Sequence, residues 1–348
     1  MKRGIVTTMM YILGLLLVIT FVLPIISRTV EKNLEIFLFI VGVSASIISG
    51  TLNKELIIDI VENKFMYIIA LAVLLGGLLF KLLYTNIKEI LTDILKFVPL
   101  RVFVFLLVVI IGLLSSVITA IIAALLLVEI VSILPISRKN KINIDIVSCF
   151  SIGLGAALTP MGEPLATNIV SKLNVEFWFL LKHFSIYIIP GILILGIIGA
   201  FYAKQGENEA EEHENVSTEE TNKLIFVRAL KILLFIAALE LLGKGFKPIV
   251  DNYIMTLDMR YLFWVNISSA VLDNATLAAA EISAQMTHAQ IKAILMALLI
   301  SGGMMIPGNI PNIISAGKLK IKTREWIKVG IPLGMSIMSA YYVVLFGI

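Results

Sequence analysis

Cysteine is nearly missing from this chain of 348 residues: Cys149 stands alone, so no internal disulfide can form. Histidine is scarce too, with His183, His213 and His288 scattered and no Cys/His spacing that suits a structural metal. Charged residues make up only 15%. The formal net charge of +4 is no nucleic-acid signal, because Lys and Arg gather at the ends of apolar segments. No His-Glu-x-x-His pattern and no paired aspartates within apolar segments occur, and neither Ser115 nor Ser268 has a histidine at matching depth. An intramembrane enzyme is therefore not expected.

What the chain has is apolar surface. Hydrophobic residues reach 59% and the mean hydropathy is +1.00, well above soluble usage. This predicts an all-α, multi-pass protein of the cell membrane with the lipid bilayer as its main partner. Full spans are expected at Ile5–Ile26, Leu34–Leu52, Phe65–Leu83, Phe184–Ala203, Leu224–Leu242 and Ile327–Phe346, each near the length that crosses a core of ~30 Å. The first run follows Met1-Lys2-Arg3 and is too long for a signal peptide, and Leu23-Pro24-Ile25-Ile26 offers no small-residue cleavage site. It reads as a retained helix.

Two pairs of interruptions organise the rest. The apolar run Val102–Leu134 is too long for one span and carries Ser115-Ser116 near its middle. Tyr261–Ile282 is its shorter counterpart, with Ser268-Ser269 in the same place. Each run reads as a re-entrant hairpin of two half-length helices. Each is followed by a helix interrupted by Pro and Gly: Ile144–Leu173 around Thr159-Pro160, and Ala289–Ala316 around Pro307-Gly308. Proline removes a donor and glycine permits positive φ, so these helices should be broken. Ser115 and Ser268 are 153 residues apart, Pro160 and Pro307 147 apart, so the spacing itself repeats. Broken backbone is tolerated at membrane depth only where it is buried in protein or lines a cavity, and two matched copies point to a transporter's binding site.

The segments before the hairpins match as well. Phe65–Leu83 and Leu224–Leu242 each lead into a charged amphipathic stretch, Asn86–Phe97 and Phe246–Met255, expected to lie in the interface. The chain thus divides into N-terminal helices (1–64), repeat 1 (65–203, hairpin 102–134, broken helix 144–173), a linker (204–223) and repeat 2 (224–348, hairpin 261–282, broken helix 289–316). Each repeat crosses three times, and an odd number of crossings makes the second copy inverted. The linker carries Glu207, Glu209, Glu211, Glu212, Glu214, Glu219 and Glu220, and is assigned no structure. The larger share of Lys and Arg, including Arg138, Lys139, Lys141 and Lys204, falls on the linker's side, which the positive-inside rule places in the cytoplasm.

Carboxylates at membrane depth are costly and hence functional candidates. Asp273 is the foremost, four residues after Ser269 and followed by Asn274 and Thr276. Carboxylate, amide and hydroxyl oxygens suit a hard cation, and Asp273 with Asn274 are the candidate Na⁺ ligands. The alternative reading has Asp273 capping the returning half-helix. Glu163, with Asn168 beyond it, reads equally as a second ligand or as a cap on the half-helix that follows. Ser115, Ser116 and Thr119 offer hydroxyls at the first hairpin, to line a site or to satisfy backbone carbonyls. Thr159 and Gly162 in the first break, Ser268 and Ser269 at the second tip, and Gly308, Asn309 and Asn312 at the second break complete the set. Glu129, Glu281 and Glu240 are expected near the headgroups in structural roles. No cofactor is expected beyond a bound Na⁺.

Ser268-Ser269-Ala270-Val271-Leu272-Asp273-Asn274-Ala275-Thr276 resembles the Ser-Ala-x-x-Asp-Asn tip found in the ion transporter superfamily of arsenite efflux carriers, sodium/proton antiporters and sodium/dicarboxylate symporters. Gly153 to Pro164, with its Thr159-Pro160-Met161-Gly162, is similar to that superfamily's Gly-rich Thr-Pro-Ile-Gly break. The likeness covers Phe65 to Phe346 and is nearest to a small group of prokaryotic cation transporters. It implies hairpin tips meeting broken helices at the midplane, a homodimer, elevator-like alternating access and coupling to Na⁺ or H⁺. One departure matters: Ile118-Thr119-Ala120 stands where antiporter relatives carry a second Asp-Asn pair and dicarboxylate carriers a Ser-Asn-Thr. The expected function is Na⁺/H⁺ exchange, with coupled transport of a small anion, a dicarboxylate or arsenite-like oxyacid, as the alternative. Against a dicarboxylate stands the lack of Arg or Lys among the break residues. The twin hairpins count against a passive channel.

Overall fold

The computed structural model describes residues 2–27, 29–30, 33–64, 66–67, 70–71, 74–75, 78, 82, 89, 93–94, 96–204, 222–249, 251–252, 257–271, 274–282 and 286–347. Among them there are helices and turns but no strand. The helices are α1 Lys2–Ile26, α2 Leu34–Ile48, α3 Lys54–Glu62, α4 Leu100–Ile118, α5 Ala120–Ile133, α6 Arg138–Ala156 and α7 Pro164–Leu173. They continue with α8 Phe179–Tyr202, α9 Asn222–Ile249, α10 Met259–Val265, α11 Asn274–Glu281, α12 His288–Gly302, α13 Ile310–Leu319 and α14 Thr323–Phe346. Of the described helices, α4, α8 and α14 are long and apolar enough to cross a membrane.

Both long apolar runs bend, and the bends have local causes. The first turns at Thr119, at φ 74° and ψ 149°, a region that only glycine occupies without strain. Its hydroxyl accepts the Ile122 amide and starts α5. The turn was expected at Ser115-Ser116; instead both serines lie in the last turn of α4, because their hydroxyls bond back to helix carbonyls and leave the ladder whole. The second run passes from α10 into a 3₁₀ turn, Asn266–Ala270, which holds Ser268 and Ser269, and returns as α11. The broken helices appear where expected. The first is α6 and α7, parted by Ala157–Glu163, with Pro164 in the first turn of α7, where its missing N–H costs nothing. The second is α12 and α13, parted by a 3₁₀ turn at Ile306–Gly308. Both begin with caps the periodicity did not reveal: Ser137 on the Asn140 amide, and a reciprocal Thr287–Gln290 box.

The boundary after Leu242 differs from expectation. The span runs on as α9 to Ile249, absorbing the start of the stretch expected to lie in the interface, and Pro248 is accommodated in the last turn. Most of Phe65–Leu83 and Asn86–Phe97 lies outside the described residues. A side layer forms where α9 packs along α2, with α1 against both. Gly42 and Gly245 allow the close approach, since a Cβ there would lie 2.8 Å from Leu241 Cβ and 2.6 Å from Ala45 Cβ.

The core belongs to α6 and α12. From Ile142 to Ala156 every residue is buried, and so is every residue from Ile291 to Gly302 except Lys292, as a helix surrounded on all sides requires. These two helices pack on each other. Around them, α4 and α8 pack on α6, while α10, the Asn266–Ala270 turn and α14 pack on α12. The returning arms then exchange partners: α5 packs on α13, and α11 packs on α7.

Candidate functional site

The site begins with the backbone groups that each break sets free. In an uninterrupted helix the Ala120 amide would reach the Ser116 carbonyl. Instead it donates to Gly162 O at 2.8 Å, and the Thr159 hydroxyl takes Ser116 O in its place. Thr159 Oγ1 also accepts the Met161 amide at 3.3 Å. The first hairpin tip and the first break thus complete one another. Gly162 folds back so tightly that a Cβ would lie 2.0 Å from Ala156 O, and a Cβ on Gly155 would lie 1.7 Å from Gly112 O. Ser115 Oγ donates to Gly112 O (2.6 Å) and Ile152 O (3.0 Å), and Ser116 Oγ to Leu113 O (2.7 Å). Their protons are given to carbonyls of α4 and α6. Glu163 is buried where α7 begins.

The second half repeats the arrangement with other groups. Gly308 lies against both Gly302 and the second tip: a Cβ on it would be 2.4 Å from Gly302 O and 2.8 Å from Ser269 O. Ser269 Oγ donates to Leu298 O at 3.4 Å. Asn309 caps α13 through the Ile310 amide at 2.8 Å. Asn312 Nδ2 bridges the carbonyls of Gly302 and Met305, both at 2.8 Å, holding the two sides of the break together. Asn274, 3% exposed, brings Nδ2 to 3.5 Å from where a Gly302 Cβ would stand. Asn274, Gly302, Gly308 and Asn312 therefore form one cluster. Two of its polar atoms, Asn274 Nδ2 and Asn312 Oδ1, are buried with no hydrogen-bond partner among the described residues, as is Ser268 Oγ in the 3₁₀ turn whose Ser269 meets Gly308, an arrangement native interiors rarely leave unused. Asp273 lies outside the described residues, and of Asn168 and Thr276 only the helical positions, on α7 and α11, are described.

The two breaks also meet across the halves. A Cβ on Gly153 in α6 would lie 3.1 Å from Asn309 Nδ2, and one on Gly303 would lie 2.6 Å from the Phe150 ring. Ser115 on Ile152 O, Gly153 against Asn309 and Gly308 against Ser269 O thus form a series of contacts between neighbouring residues that runs from one half to the other.

Other polar groups make ties away from this cluster, and among them buried Asp145 was not anticipated. Asp145, on α6 facing α13, is 0% exposed; its Oδ1 accepts from Ser315 Oγ at 3.1 Å, and its Oδ2 has no partner among the described residues. Cys149 Sγ lies 3.3 Å from the same hydroxyl. Asp145 was overlooked because Arg138-Lys139-Asn140-Lys141 just before it reads as an exposed end; the signal was its placement between Ile144 and Ile146. Glu281 is fully buried and accepts from Asn266 Nδ2 at 2.9 Å, tying the two arms of the second hairpin. Ser301 Oγ holds Asn266 O. Glu129, buried too, pairs with Lys318 at 3.0 Å and so ties α5 to α13. Glu240 accepts from Asn63 Nδ2 at 3.1 Å. Among the described residues no three His, Cys, Asp or Glu side chains gather as a metal site.

Comparison with known proteins adds one finding. The model of a family described as "Protein of unknown function (DUF1646)" matches residues 10–348. No curated protein matches the chain.

Proposed function

The chain belongs to that family, whose description names no activity, and from the site we propose that it is a secondary active ion transporter of the cell membrane, exchanging Na⁺ for H⁺. The observation that carries this reading is the set of orphaned polar atoms where a hairpin end and a broken helix converge, at Asn274, which follows Asp273 in the sequence. Asn312 Oδ1 and Ser268 Oγ offer oxygen ligands to a desolvated cation, and the Asp273 carboxylate balances its charge or takes a proton instead. Competition for one carboxylate is the simplest way to make the two ions exchange.

The pairing of elements supports inverted repeats. Helices α4–α5, α6–α7 and α8 correspond in order to α10–α11, α12–α13 and α14, and each returning arm packs on the other unit's post-break helix. In this reading both hairpins are re-entrant, the copies have opposite orientations, the acidic linker is cytoplasmic, and the hairpins with their broken helices move as one body in a homodimer. A second reading, coupled transport of a small anion, is favoured by a separate observation: Asn274 Nδ2 is a buried donor with no described acceptor, which suits an anionic oxygen.

Proteoliposomes holding an internal pH dye decide between these. Pulses of Na⁺, Li⁺ and K⁺ are compared with arsenite and dicarboxylates. A sodium-driven proton flux is expected, abolished in Asp273→Asn and reduced at least ~10-fold in Asn312→Ala, the scale of losing one buried ligand. A wild-type signal indifferent to every cation overturns the exchanger, and sodium-dependent uptake of an anion replaces it with the second reading.

A further inference from the structure

We propose that the chain holds an anionic phospholipid at one end of the bundle, its headgroup between the start of α6 and the end of α8. A cavity of about 490 Å³ opens there, lined by Lys139, Asn140, Asn143, Phe201, Tyr202 and Lys204. Next to it, across Phe201, runs a groove of about 250 Å³ formed by Arg101, Val102, Phe105, Ile197 and Ala200. Among the described residues no carboxylate lines either space. Lys139, Lys204 and Arg101 make no ion pair among the described residues, so three cations line the cavity and its adjoining groove without a described counter-charge.

A buried group points to the same ligand. Asn143 is only 8% exposed, it lines the cavity, and its side-chain amide has no hydrogen-bond partner among the described residues. A phosphodiester oxygen would supply the missing acceptor. The groove distinguishes a lipid from a free anion. Val102, Ile197 and Phe201 are 46%, 50% and 67% exposed and form an apolar track leading away from the cations, along two helices long enough to cross a membrane. Arg101 begins α4 and Lys204 follows the end of α8, so the charges collect at one level and the acyl track runs from it. In the orientation set by the positive charges this is the cytoplasmic leaflet, whose lipids are the anionic ones. The inference rests on the chain spanning a bilayer and not on what it transports.

Native mass spectrometry of the detergent-purified full chain tests it, titrating phosphatidylglycerol against phosphatidylcholine of the same acyl chains. Phosphatidylglycerol is expected to bind preferentially. Each basic residue near anionic lipid contributes about fivefold in affinity, so Lys139→Ala with Lys204→Ala should weaken phosphatidylglycerol about thirtyfold and leave phosphatidylcholine unchanged. Lysine-to-arginine exchange at both positions should retain binding. Ala200→Trp fills the groove without touching a charge and should also weaken binding. Equal affinity for the two lipids, inorganic phosphate displacing phosphatidylglycerol at equal concentration, or unimpaired binding by Ala200→Trp each overturns the proposal. The wild-type comparison stands alone if a variant fails to fold, and a transport assay negative for every ion leaves the binding result untouched.

Discussion

At the scale of single residues, Asp145 poses the sharpest question. A carboxylate with no exposure and one described hydroxyl partner is costly to ionise unless a cation joins it, so Asp145 either keeps a proton or is paired with a cation. Asp145→Asn preserves the acceptor that Ser315 uses. If the native group holds a proton, the variant should unfold within ~1 kcal/mol of wild type in detergent melts. Ser315→Ala, which strips the only described donor, should cost about 1–2 kcal/mol. A loss in Asp145→Asn as large as that of a severed buried ion pair would exclude the protonated state. The sequence offered only the placement of Asp145 between Ile144 and Ile146, outweighed by Lys141 four residues before. Asn274, by contrast, stood out in a motif. Ser115 and Ser116 were legible as polar residues in an apolar run, but whether their hydroxyls face a ligand or a carbonyl depends on the α4–α6 contact, and no local pattern encodes that.

At the scale of elements, proline and glycine explain why the breaks could be read and the turn could not. Pro160 and Pro307 act within one helical turn, by a missing donor and a clash, so their effect is independent of the rest of the chain. The reversal at Thr119 has no such local signal. Threonine is strained at positive φ, and it is held there because Ala120 and Ser116 find partners in Gly162 and Thr159, some forty positions onward. The α5–α13 contact carries a comparable long-range tie in Glu129–Lys318, whose side chains are 11% and 12% exposed. Removing one member leaves the other's buried charge less compensated, so Lys318→Met alone should destabilise by up to about 3 kcal/mol, whereas Glu129→Leu with Lys318→Met should recover part of that. Thermal unfolding of the two singles and the double gives the coupling directly; additive losses would show that the pair is not a unit.

At the scale of the whole molecule, the exchange of arms is the feature with most consequence. Because α5 rests on α13 and α11 on α7, each half supplies a packing partner to the other's post-break helix, although each break is closed by the tip of its own half. The proposed inversion makes a measurable distinction. In a Cys149→Ala background, Lys139→Cys before the body of α6 and Ala289→Cys at the start of α12 occupy equivalent places in the two units. A membrane-impermeant maleimide should label them from opposite faces of sealed vesicles. Labelling from the same face would make the repeats parallel and remove the geometric basis for alternating access.

Composition and punctuation alone were enough for the helical class, the two interrupted helices and their repeat spacing. Each of those follows from short-range chemistry: apolar runs that cannot remain in water, and imino and glycine residues that cannot continue a helix. The position of the first turn, the burial of Asp145, the Glu129–Lys318 and Asn266–Glu281 ties and the crossing of arms required the folded chain. They depend on which carbonyl lies free beside which donor across a helix interface, and that proximity exists only once α6 and α12 have packed together.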